Sequence, residues 1–596
     1  MLMFAMANMP APPEPAATPL RLAGVTKRFR IAKREITALG DVHAETSPGL
    51  VTGLIGPDGA GKTTLMRLVA GLLSLDEGRI EVFGTDVSTE ALKVQGMISY
   101  MPQRFGLYED LTVQENLDLY ADLNGVPQAD RSASYTELLH MTGLAPFTSR
   151  LAGRLSGGMK QKLGLACTLI RPPRLLLLDE PTVGVDPVSR RELWQIVDHL
   201  VRQAGMSVLL STAYLDEAER CDEVLLLHEG QLIGSGQPEA FTQTMAGRSF
   251  HAHAPGVPKR ALQAVLTATP GVTDALIQGE AVRLVLDEGT TPETIQPPGV
   301  SGLALSPVAP RFEDRFVDLL RAQNGAKPRA ALSPPPSGGS STAMRAAIEV
   351  AHLTKRFGAF TAVDDISFTV KRGEIFGLLG ANGAGKSTTF RMLCGLLPAT
   401  GGQLKVDGYD LRRAAAAARG RLGYMAQKFS LYGDLSVLQN LHFFAAAYGL
   451  RGARRNERIN WALSEFELAP FADATSRDLP LGFKQRLALA CALMHEPDIL
   501  FLDEPTSGVD PLARREFWQR INALAEGGVT VLVTTHFMDE AEYCDHLVIM
   551  AQGRILATGT SEALKHAARS SALPDPTMED AFIALIHADS GQEQAA

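Results

Sequence analysis

An internal repeat is the feature that most narrows what this chain can fold into. The stretch GLIGPDGAGKTT at 53–64 returns as GLLGANGAGKST at 377–388, an offset of 324 residues. The same offset relates LLLLDEPTVGVDP at 175–187 to ILFLDEPTSGVDP at 499–511. An offset that stays constant over so long a stretch indicates two homologous domains. With 596 residues, the chain is also too long for a single ordinary core.

The repeat divides the chain into six predicted segments. Each copy alternates apolar, β-rich runs with helical stretches, which favours an α/β core covered by helices. Between the copies, RSFHAHA, PKRALQAVLTA, VTDALIQ and AVRLVLD are typical of a strand, a helix and two strands. The segments are a disordered leader at 1–19, a first domain at 20–240, a small α+β subdomain at 241–320, a Pro/Gly/Ser-rich linker at 321–346, a second domain at 347–565, and a C-terminal helix and tail at 566–596.

Charge and composition argue against several classes of protein. The net charge of −9 is unfavourable for a chain held mainly on nucleic acid phosphates, so no nucleic acid partner is expected. The five cysteines show no CxxC spacing, which gives no disulfide framework and no zinc site. No run of 18 apolar residues occurs, and the proline-rich start is unlike a signal peptide. We therefore expect no segment that spans a bilayer.

Each copy carries a phosphate-binding motif. GPDGAGKT and GANGAGKS fit G-x-x-x-x-G-K-[ST], each between an apolar strand and an apolar helix. Backbone N–H groups of such a loop converge on phosphates at a helix N-terminus, where the helix dipole favours anions. A glycine-rich turn without function is not expected twice with both flanks in place. The predicted ATP-binding residues are Gly56, Pro57, Asp58, Gly59, Ala60, Gly61, Lys62, Thr63 and Thr64, and Gly380, Ala381, Asn382, Gly383, Ala384, Gly385, Lys386, Ser387 and Thr388.

The last residues of this motif have separate roles. Lys62 and Lys386 are predicted to reach the β- and γ-phosphates of ATP. Thr63 and Ser387 are predicted to ligate Mg²⁺ through their hydroxyl groups. ATP and Mg²⁺ are therefore the expected cofactors.

An acidic pair follows a buried strand in each copy, in LLLLDEP and ILFLDEP. The first carboxylate, Asp179 or Asp503, is predicted to bind magnesium through water. The second, Glu180 or Glu504, is predicted to polarise the water that attacks the γ-phosphate in line. A solvated Asp-Glu pair at a strand end is common by itself, but the phosphate loop in the same domain favours the catalytic interpretation.

With LSGGMKQ at 155–161, these motifs resemble the ATP-binding subunits of ABC transporters over both domains. The resemblance implies two tandem P-loop ATPase domains, each with an α/β core and a helical signature subdomain, plus the small α+β insert. Gln103 and Gln427 match the Q-loop that touches magnesium and faces the membrane partner, and Phe29 and Phe357 match the aromatic that stacks on adenine. His536 matches the switch histidine that contacts the γ-phosphate, and Ser156, Gly157 and Gly158 match the signature. Asp186 and Asp510 match the loop that joins the two sites of a dimer. For Phe29 and Phe357 the plainer interpretation is a core aromatic, and for His536 it is a structural histidine.

The two copies depart from the family pattern at different motifs. In the second copy the signature reads LPLGF at 479–483, where Pro480 removes an N–H and a hydroxyl and Leu481 adds a side chain. Proline still begins a helix well, so we expect the helix to persist while the phosphate contact weakens. In the first copy, STAYLDEAE places Ala213 where the second copy has His536.

Family dimers pair head to tail, so that the phosphate loop of one domain faces the signature of the other. If the two domains of this chain pair in cis, Lys386, Gln427, Glu504 and His536 combine with the intact first signature. Both departures then fall in the other site, whereas pairing of like domains from two chains would leave every site damaged. The prediction is one intact composite site and one degenerate site.

The favoured function is the energy-coupling subunit of an ABC exporter of the multidrug type. The asymmetric signatures and the run LY.DL[TS]V..NL resemble those of fused exporter ATPases. The resemblance implies two separate integral-membrane permease subunits, alike or different, and a peripheral location on the cytoplasmic face of the bacterial inner membrane. The alternatives are a ribosome-associated ABC translation factor, whose linker is usually long, charged and helical, and a double-domain sugar importer, whose linker is typically short.

Overall fold

The computed structural model describes residues 18–31, 34–103, 106–324, 346–411, 420–427, 430–570 and 573–595. Most of the predicted leader at 1–19 and of the predicted linker at 321–346 lies outside the described residues. The described residues form two compact units. The first contains the residues up to Ala246 and those from Pro310 to 324, and the second contains Gly247–Ala309 and the residues from 346 onward. None of the helices within these ranges is both long and apolar enough to cross a membrane.

Two sheets build the first domain. A four-stranded antiparallel sheet has the order β2-β1-β4-β5, and a six-stranded sheet has the order β10-β9-β3-β8-β7-β6, in which only the β9–β10 pair is antiparallel. The strands β3 and β7 are buried along their whole length, as their apolar runs predict. The strands are β1 Leu20–Ile31, β2 Arg34–Glu45, β3 Val51–Ile55, β4 Glu77–Val82, β5 Thr85–Asp86, β6 Ile98–Met101, β7 Leu175–Asp179, β8 Ser207–Thr212, β9 Glu223–His228 and β10 Gln231–Gly236.

Helices cover the sheets and form a separate helical subdomain between β6 and β7. Within it, α5 packs against α3 and α4 and also against α6. The last helix of the unit, α10, packs against α7 and α8, with the Phe312 ring 5.5 Å from the Phe241 ring. The helices are α1 Lys62–Val69, α2 Ala91–Gln95, α3 Val113–Leu123, α4 Gln128–Thr142, α5 Gly157–Leu169, α6 Pro187–Ala204, α7 Leu215–Ala218, α8 Pro238–Gln243 and α10 Phe312–Asn324.

The small subdomain is a four-stranded antiparallel sheet with one helix. Its strand order is β12-β13-β11-β14, and its own apolar core includes Phe250, Leu262 and Leu284. The sequence predicts a separate subdomain at 241–320, between the two domains; in the structure Gly247–Ala309 belong to the second unit, while α8 and α10 belong to the first. Its elements are β11 Ser249–His253, α9 Lys259–Thr267, β12 Val272–Gln278, β13 Ala281–Leu286 and β14 Ala304–Pro307.

The second domain repeats the architecture of the first. Its sheets have the orders β16-β15-β18-β19 and β20-β21-β22-β17-β23-β24, and again only the last pair of the larger sheet is antiparallel. The strands are β15 Ala346–Phe357, β16 Phe360–Lys371, β17 Ile375–Gly380, β18 Gly401–Val406, β19 Tyr409–Asp410, β20 Leu422–Met425, β21 Ile499–Asp503, β22 Thr530–Thr535, β23 His546–Ala551 and β24 Arg554–Gly559. The helices are α11 Lys386–Leu393, α12 Val437–Ala447, α13 Gly452–Glu465, α14 Leu481–Ala492, α15 Pro511–Glu526, α16 Met538–Ala541, α17 Ser561–Ala568 and α18 Met578–Ala595.

The parallel strands bring the predicted site residues to one edge of each large sheet. The phosphate loop follows β3, the acidic pair ends β7, Gln103 follows β6 and Ala213 follows β8. Because the carboxyl ends of parallel strands meet at the same edge, residues far apart in sequence become neighbours there. The second domain repeats this arrangement at the ends of β17, β21, β20 and β22.

Candidate functional site

The phosphate loops connect a central buried strand to the helix that follows it. In the first loop, Gly59 and Gly61 have φ angles of 80° and 104°, a conformation that favours glycine. A Cβ atom on Gly56 would lie 2.2 Å from the Leu227 carbonyl oxygen, so a side chain cannot fit there. The matching glycines of the second loop have φ angles of 86° and 97°. Both loops therefore have the backbone that the motif predicts.

The motif lysines are buried and held over their own loops. Lys62 Nζ donates to the carbonyl oxygens of Gly56 at 2.8 Å and Pro57 at 3.1 Å, and lies 3.2 Å from Glu180 Oε1. Lys386 Nζ makes the two matching backbone contacts at 2.6 and 3.0 Å. The lysines are only 4% and 5% exposed. A buried ammonium group requires compensating negative charge, which a phosphate at this position would supply.

The first acid of each pair is tied to hydroxyl groups. Asp179 Oδ1 accepts from Thr63 Oγ1 at 3.1 Å and from Ser211 Oγ at 2.7 Å, and Asp179 Oδ2 accepts from Tyr100 at 3.0 Å. In the second domain, Asp503 Oδ1 accepts from Thr534 at 2.6 Å. Asp179 and the loop hydroxyl of Thr63, which the sequence assigns to the same ion, therefore lie together.

The oxygen atoms of Thr63 and Asp179 are the kind of ligand that Mg²⁺ prefers. The described residues contain no group of three or more His, Cys, Asp or Glu side chains able to hold a metal ion. A hydroxyl and one carboxylate beside a phosphate loop are instead the kind of partial shell that Mg²⁺ completes with phosphate oxygens and water. The observed Thr63–Asp179 contact thus fits the predicted Mg²⁺ site.

The second acid of each pair has an unusual backbone conformation. Glu180 and Glu504 have φ angles of 50° and 46°, which cost a residue with a side chain roughly 1–3 kcal/mol. The next strand holds this conformation, because the N–H groups of the two glutamates donate to Ser211 Oγ and Thr534 Oγ1, both at 2.9 Å. Strain maintained in both copies at the predicted catalytic residue is typical of a functional site.

The two glutamate carboxylates have different neighbours. Gln103 Nε2 donates to Glu180 Oε2, and Gln427 Nε2 donates to Glu504 Oε2 at 2.6 Å. Among the described residues, a histidine contacts only the second glutamate, with His536 Nδ1 3.4 Å from Glu504 Oε2. In the first domain, the residue that corresponds to His536 is the buried Ala213. The glutamate of the second domain thus has a polar neighbour, His536, at a position where the first domain has an alanine.

The free nitrogen of this histidine suggests a ligand. His536 is 5% exposed, and its Nε2 atom has no hydrogen-bond partner among the described residues. A buried nitrogen without a partner is unfavourable unless something else bonds to it. A phosphate oxygen would accept from Nε2 when the ring is protonated on both nitrogens, because Nδ1 already faces the Glu504 carboxylate.

The surroundings of the second acidic pair shift the pKa values of its two carboxyls in opposite directions. Burial alone would raise the pKa of Glu504, but the hydrogen bond and charge of His536, with Lys386 and Gln427, outweigh it and lower that pKa. Burial raises the pKa of Asp503, and the hydrogen bond from Thr534 opposes the rise. Glu504 is therefore ionised near neutral pH, as a group that orients or activates water must be.

The two signatures differ at the N-termini of their helices. Ser156 is the N-cap residue of α5, and its side chain accepts from Met159 N at 3.3 Å. Pro480 is the N-cap residue of α14 and makes no side-chain cap, and Leu481 lies against Gly508. Helix α14 forms nonetheless, so what differs is the polar group at its N-terminus.

The remaining predicted residues have defined local positions. Asp186 and Asp510 are the N-cap residues of α6 and α15, accepting from the N–H of Ser189 at 3.1 Å and of Leu512 at 3.0 Å. Phe29 and Phe357 lie near the ends of β1 and β15, with a lysine ammonium 5.5 and 5.0 Å from the respective ring centre. Phe357 is 49% exposed, which favours a stacking surface over a core aromatic.

Sequence reasoning missed several residues that support the site. Ser211 and Thr534 are the bonding partners of the acidic pairs. Glu217 and Glu540 are buried, and each accepts a 2.6 Å hydrogen bond from the threonine that ends the neighbouring strand, Thr212 or Thr535. Recurrence of the DEAE run in both copies was a signal that could have identified the two glutamates.

Comparison with known proteins identifies the family. A family profile described as ABC transporter matches residues 39–183 and 363–507. The "Probable multidrug ABC transporter ATP-binding protein YbhF" of Escherichia coli (strain K12) is 55% identical over 572 residues, which cover 95% of this chain and 98% of that protein. The chain belongs to the ABC transporter family. This confirms the resemblance stated above, the predicted fold class and the interpretation of the chain as an ATPase coupled to transport.

Other similar proteins match this chain over about the length of one of its two domains. The "Nod factor export ATP-binding protein I" of Cupriavidus metallidurans is 42% identical over 222 residues, which cover 37% of this chain and 73% of that protein. A solved structure described as "Structure of ATP binding subunit of ABC transporter" shares 32% identity, covers 40% of this chain and 99% of its own, and gives a TM-score of 0.37.

Proposed function

We propose that this ABC protein is the energy-coupling subunit of an exporter, acting with two separate integral-membrane permease subunits, alike or different. YbhF, similar over 95% of the chain, is named a probable multidrug transporter ATP-binding protein, and the shorter relative is named for Nod factor export. Both names support export, and the first supports multidrug efflux. The proposed location is the cytoplasmic face of the bacterial inner membrane.

In each domain, the proposed ATP site uses the phosphate loop, the acidic pair and the Q-loop glutamine. Lys386 neutralises the β- and γ-phosphates, and Phe357 stacks on adenine. Ser387, Gln427 and, through water, Asp503 would hold Mg²⁺, which would supply further positive charge beside the phosphates. The first domain offers Lys62, Phe29, Thr63, Gln103 and Asp179 in the same roles.

In the second domain, Glu504 is the proposed group that orients and polarises the attacking water. Its lowered pKa keeps it an acceptor, and its left-handed backbone fixes the direction of the carboxylate. His536 Nε2, buried and without a partner among the described residues, would donate to the γ-phosphate. Glu180 would have the same role as Glu504 in the first domain, but without a histidine beside it.

We further propose that the two ATP sites are unequal. Cis pairing in the head-to-tail manner of the family would join the second phosphate loop to Ser156, Gly157 and Gly158. It would join the first phosphate loop to Pro480 and Leu481. The observation that carries the proposal is the His536–Glu504 contact, which the first domain lacks because Ala213 takes the place of the histidine. Most turnover is then expected at the Glu504 site.

Matched substitutions test this inequality. Glu504→Gln removes the ionised carboxylate but keeps the shape, and we expect ATPase activity to fall at least ~100-fold. Glu180→Gln is the matched control, and its activity should stay within about twofold of the unsubstituted chain. Equal losses in the two variants would contradict the proposal.

A second experiment tests the exporter assignment. A tagged Glu504→Gln variant, which is expected to hold ATP without hydrolysing it, is expressed in cells, and its co-purifying proteins are identified. Recovery with polytopic permeases in the membrane fraction would support the proposal. Recovery with ribosomes would contradict it and favour the translation-factor alternative.

A further inference from the structure

The small subdomain, residues 247–309, is docked on the second domain by buried polar pairs. Helix α9 packs against α15, the helix that Asp510 caps. Asp274 on β12 lies 3.1 Å from Arg515 Nη1, and Asn522 Nδ2 donates to Gln263 Oε1 at 2.9 Å. All four of these side chains are buried. Replacing one member of such a pair would leave its partner buried and unpaired, so these contacts make the docking specific.

A second set of contacts reaches the segment that follows the switch histidine. Arg260 Nη2 donates to Asp545 Oδ2 at 2.6 Å, and Lys259 Nζ donates to the Glu542 carbonyl oxygen at 3.3 Å. The backbone N–H of Gly279, in the β12–β13 turn, donates to Glu542 Oε2 at 2.9 Å. Three points of the subdomain therefore hold the stretch from Glu542 to Asp545.

This stretch is connected to the ATP site in two directions. Toward its N-terminus lies α16, where Glu540 accepts from Thr535, the residue before His536, at 2.6 Å. In the other direction, Asp545 Oδ2 also accepts from the N–H of Ile375 at 2.9 Å, at the start of the strand that leads to the phosphate loop. The carboxylate that Arg260 binds is thus the one that fixes this strand.

In the first domain, the glutamate of the corresponding segment bonds to α10, whereas the aspartate makes the same backbone bond as in the second domain. Glu219 corresponds to Glu542, and it accepts from the N–H of Phe312, the first residue of α10, at 2.8 Å. Asp222 corresponds to Asp545 and accepts from the N–H of Val51 at 2.8 Å. The small subdomain therefore contacts the copy that contains the His536–Glu504 pair.

We propose that Arg260 and Lys259 of the small subdomain are positioning residues for ATP hydrolysis at the second domain. By holding Glu542 and Asp545, they fix the switch segment so that His536 stays beside Glu504. This inference rests on the proposed function, because it requires that the Glu504 site carries the turnover. It gives the small subdomain a role in setting the rate of one of the two sites.

The test uses Arg260→Ala in the full chain. We expect kcat to fall between about twofold and thirtyfold, the range found for substitutions along a packed coupling path, with KM and the number of bound nucleotides unchanged. Arg260→Lys, which keeps the charge toward Asp545, should recover most of the loss. Glu280→Ala is the control, since Glu280 is exposed and adjacent to Gly279. If Arg260→Ala does not fold, Lys259→Ala is measured in the same way.

The results separate this inference from the proposed function. A kcat unchanged by Arg260→Ala, in a chain where Glu504→Gln abolishes turnover, would overturn the inference alone. Retained turnover in Glu504→Gln would overturn the proposed function. In the Glu180→Gln background, the fold loss caused by Arg260→Ala should persist, and its disappearance would show that the effect belongs to the first domain.

Discussion

Thr534 is the residue on which both acids of the second site depend, and its replacement by valine gives the sharpest local prediction. Its hydroxyl donates to Asp503 Oδ1 at 2.6 Å and accepts from Glu504 N at 2.9 Å. The side chain is completely buried, and valine has nearly the same shape. Thr534→Val therefore removes the two hydrogen bonds with little change in packing.

The magnitude follows from the kind of bond that is lost. A hydrogen bond to a charged group is worth about 1.5–3 kcal/mol, while Glu504 N keeps its second acceptor, the Thr534 carbonyl oxygen at 3.0 Å. If the whole loss adds to the activation free energy of hydrolysis, kcat falls roughly 10- to 100-fold. Because burial already raises the pKa of Asp503 and the Thr534 bond lowers it, the variant's Asp503 pKa rises further. The acid limb of the pH–rate profile should then move to higher pH.

The assay is steady-state phosphate release between pH 5 and 9, with Ser211→Ala as the matched control. Ser211 makes the same two bonds to Asp179 and Glu180, so the control should lose comparable stability. If the first site turns over slowly, the control should keep most of the ATPase activity. A kcat for Thr534→Val within twofold of the unsubstituted chain, or equal losses in both variants, would refute the reasoning.

The signature helices allow two further paired predictions. Ser156→Ala removes a helix cap worth about 1 kcal/mol, so it should lower the Tm and should also lower the ATPase rate at least ~10-fold. Pro480→Ala should change neither the Tm nor the rate. Equal ATPase rates in the two variants would count against a functional first signature. Gly158→Ala should destabilise the fold by about 1–3 kcal/mol, because its Cβ would lie 2.4 Å from Ser189 Oγ. Gly482→Ala, whose Cβ would meet nothing closer than 3.4 Å, should keep or raise the Tm, and calorimetry that gives both the same Tm would contradict this comparison.

Much of the candidate site could be predicted because each motif couples a local pattern to a fixed place in the fold. A glycine-rich run between an apolar strand and an apolar helix requires a loop at the sheet edge, and LLLLDEP requires a buried strand that ends in acids. The parallel order of the strands then brings Lys62, Thr63, Asp179, Glu180 and Gln103 together. These residues could be identified because the chemistry restricts the residue type at each position and the backbone geometry restricts where that position lies in the fold.

Features that depend on strand register or on distant pairs could not be predicted. The hydrogen bonds of Ser211 and Thr534 follow from the pairing of β7 with β8 and of β21 with β22, which the sequence does not specify. The docking of the small subdomain depends on pairs such as Asp274–Arg515, which are far apart in the chain. The sequence therefore did not indicate which domain the subdomain contacts.

Trapping of nucleotide with vanadate measures turnover at each of the two ATP sites separately. The full chain is incubated with a photoreactive ATP analogue, Mg²⁺ and vanadate, irradiated after turnover, and digested, and the labelled peptides are identified by mass spectrometry. We expect most of the label in second-domain peptides near Phe357 and the phosphate loop that contains Lys386. Equal labelling of the two domains, or a preference for peptides near Phe29 and Lys62, would contradict this expectation.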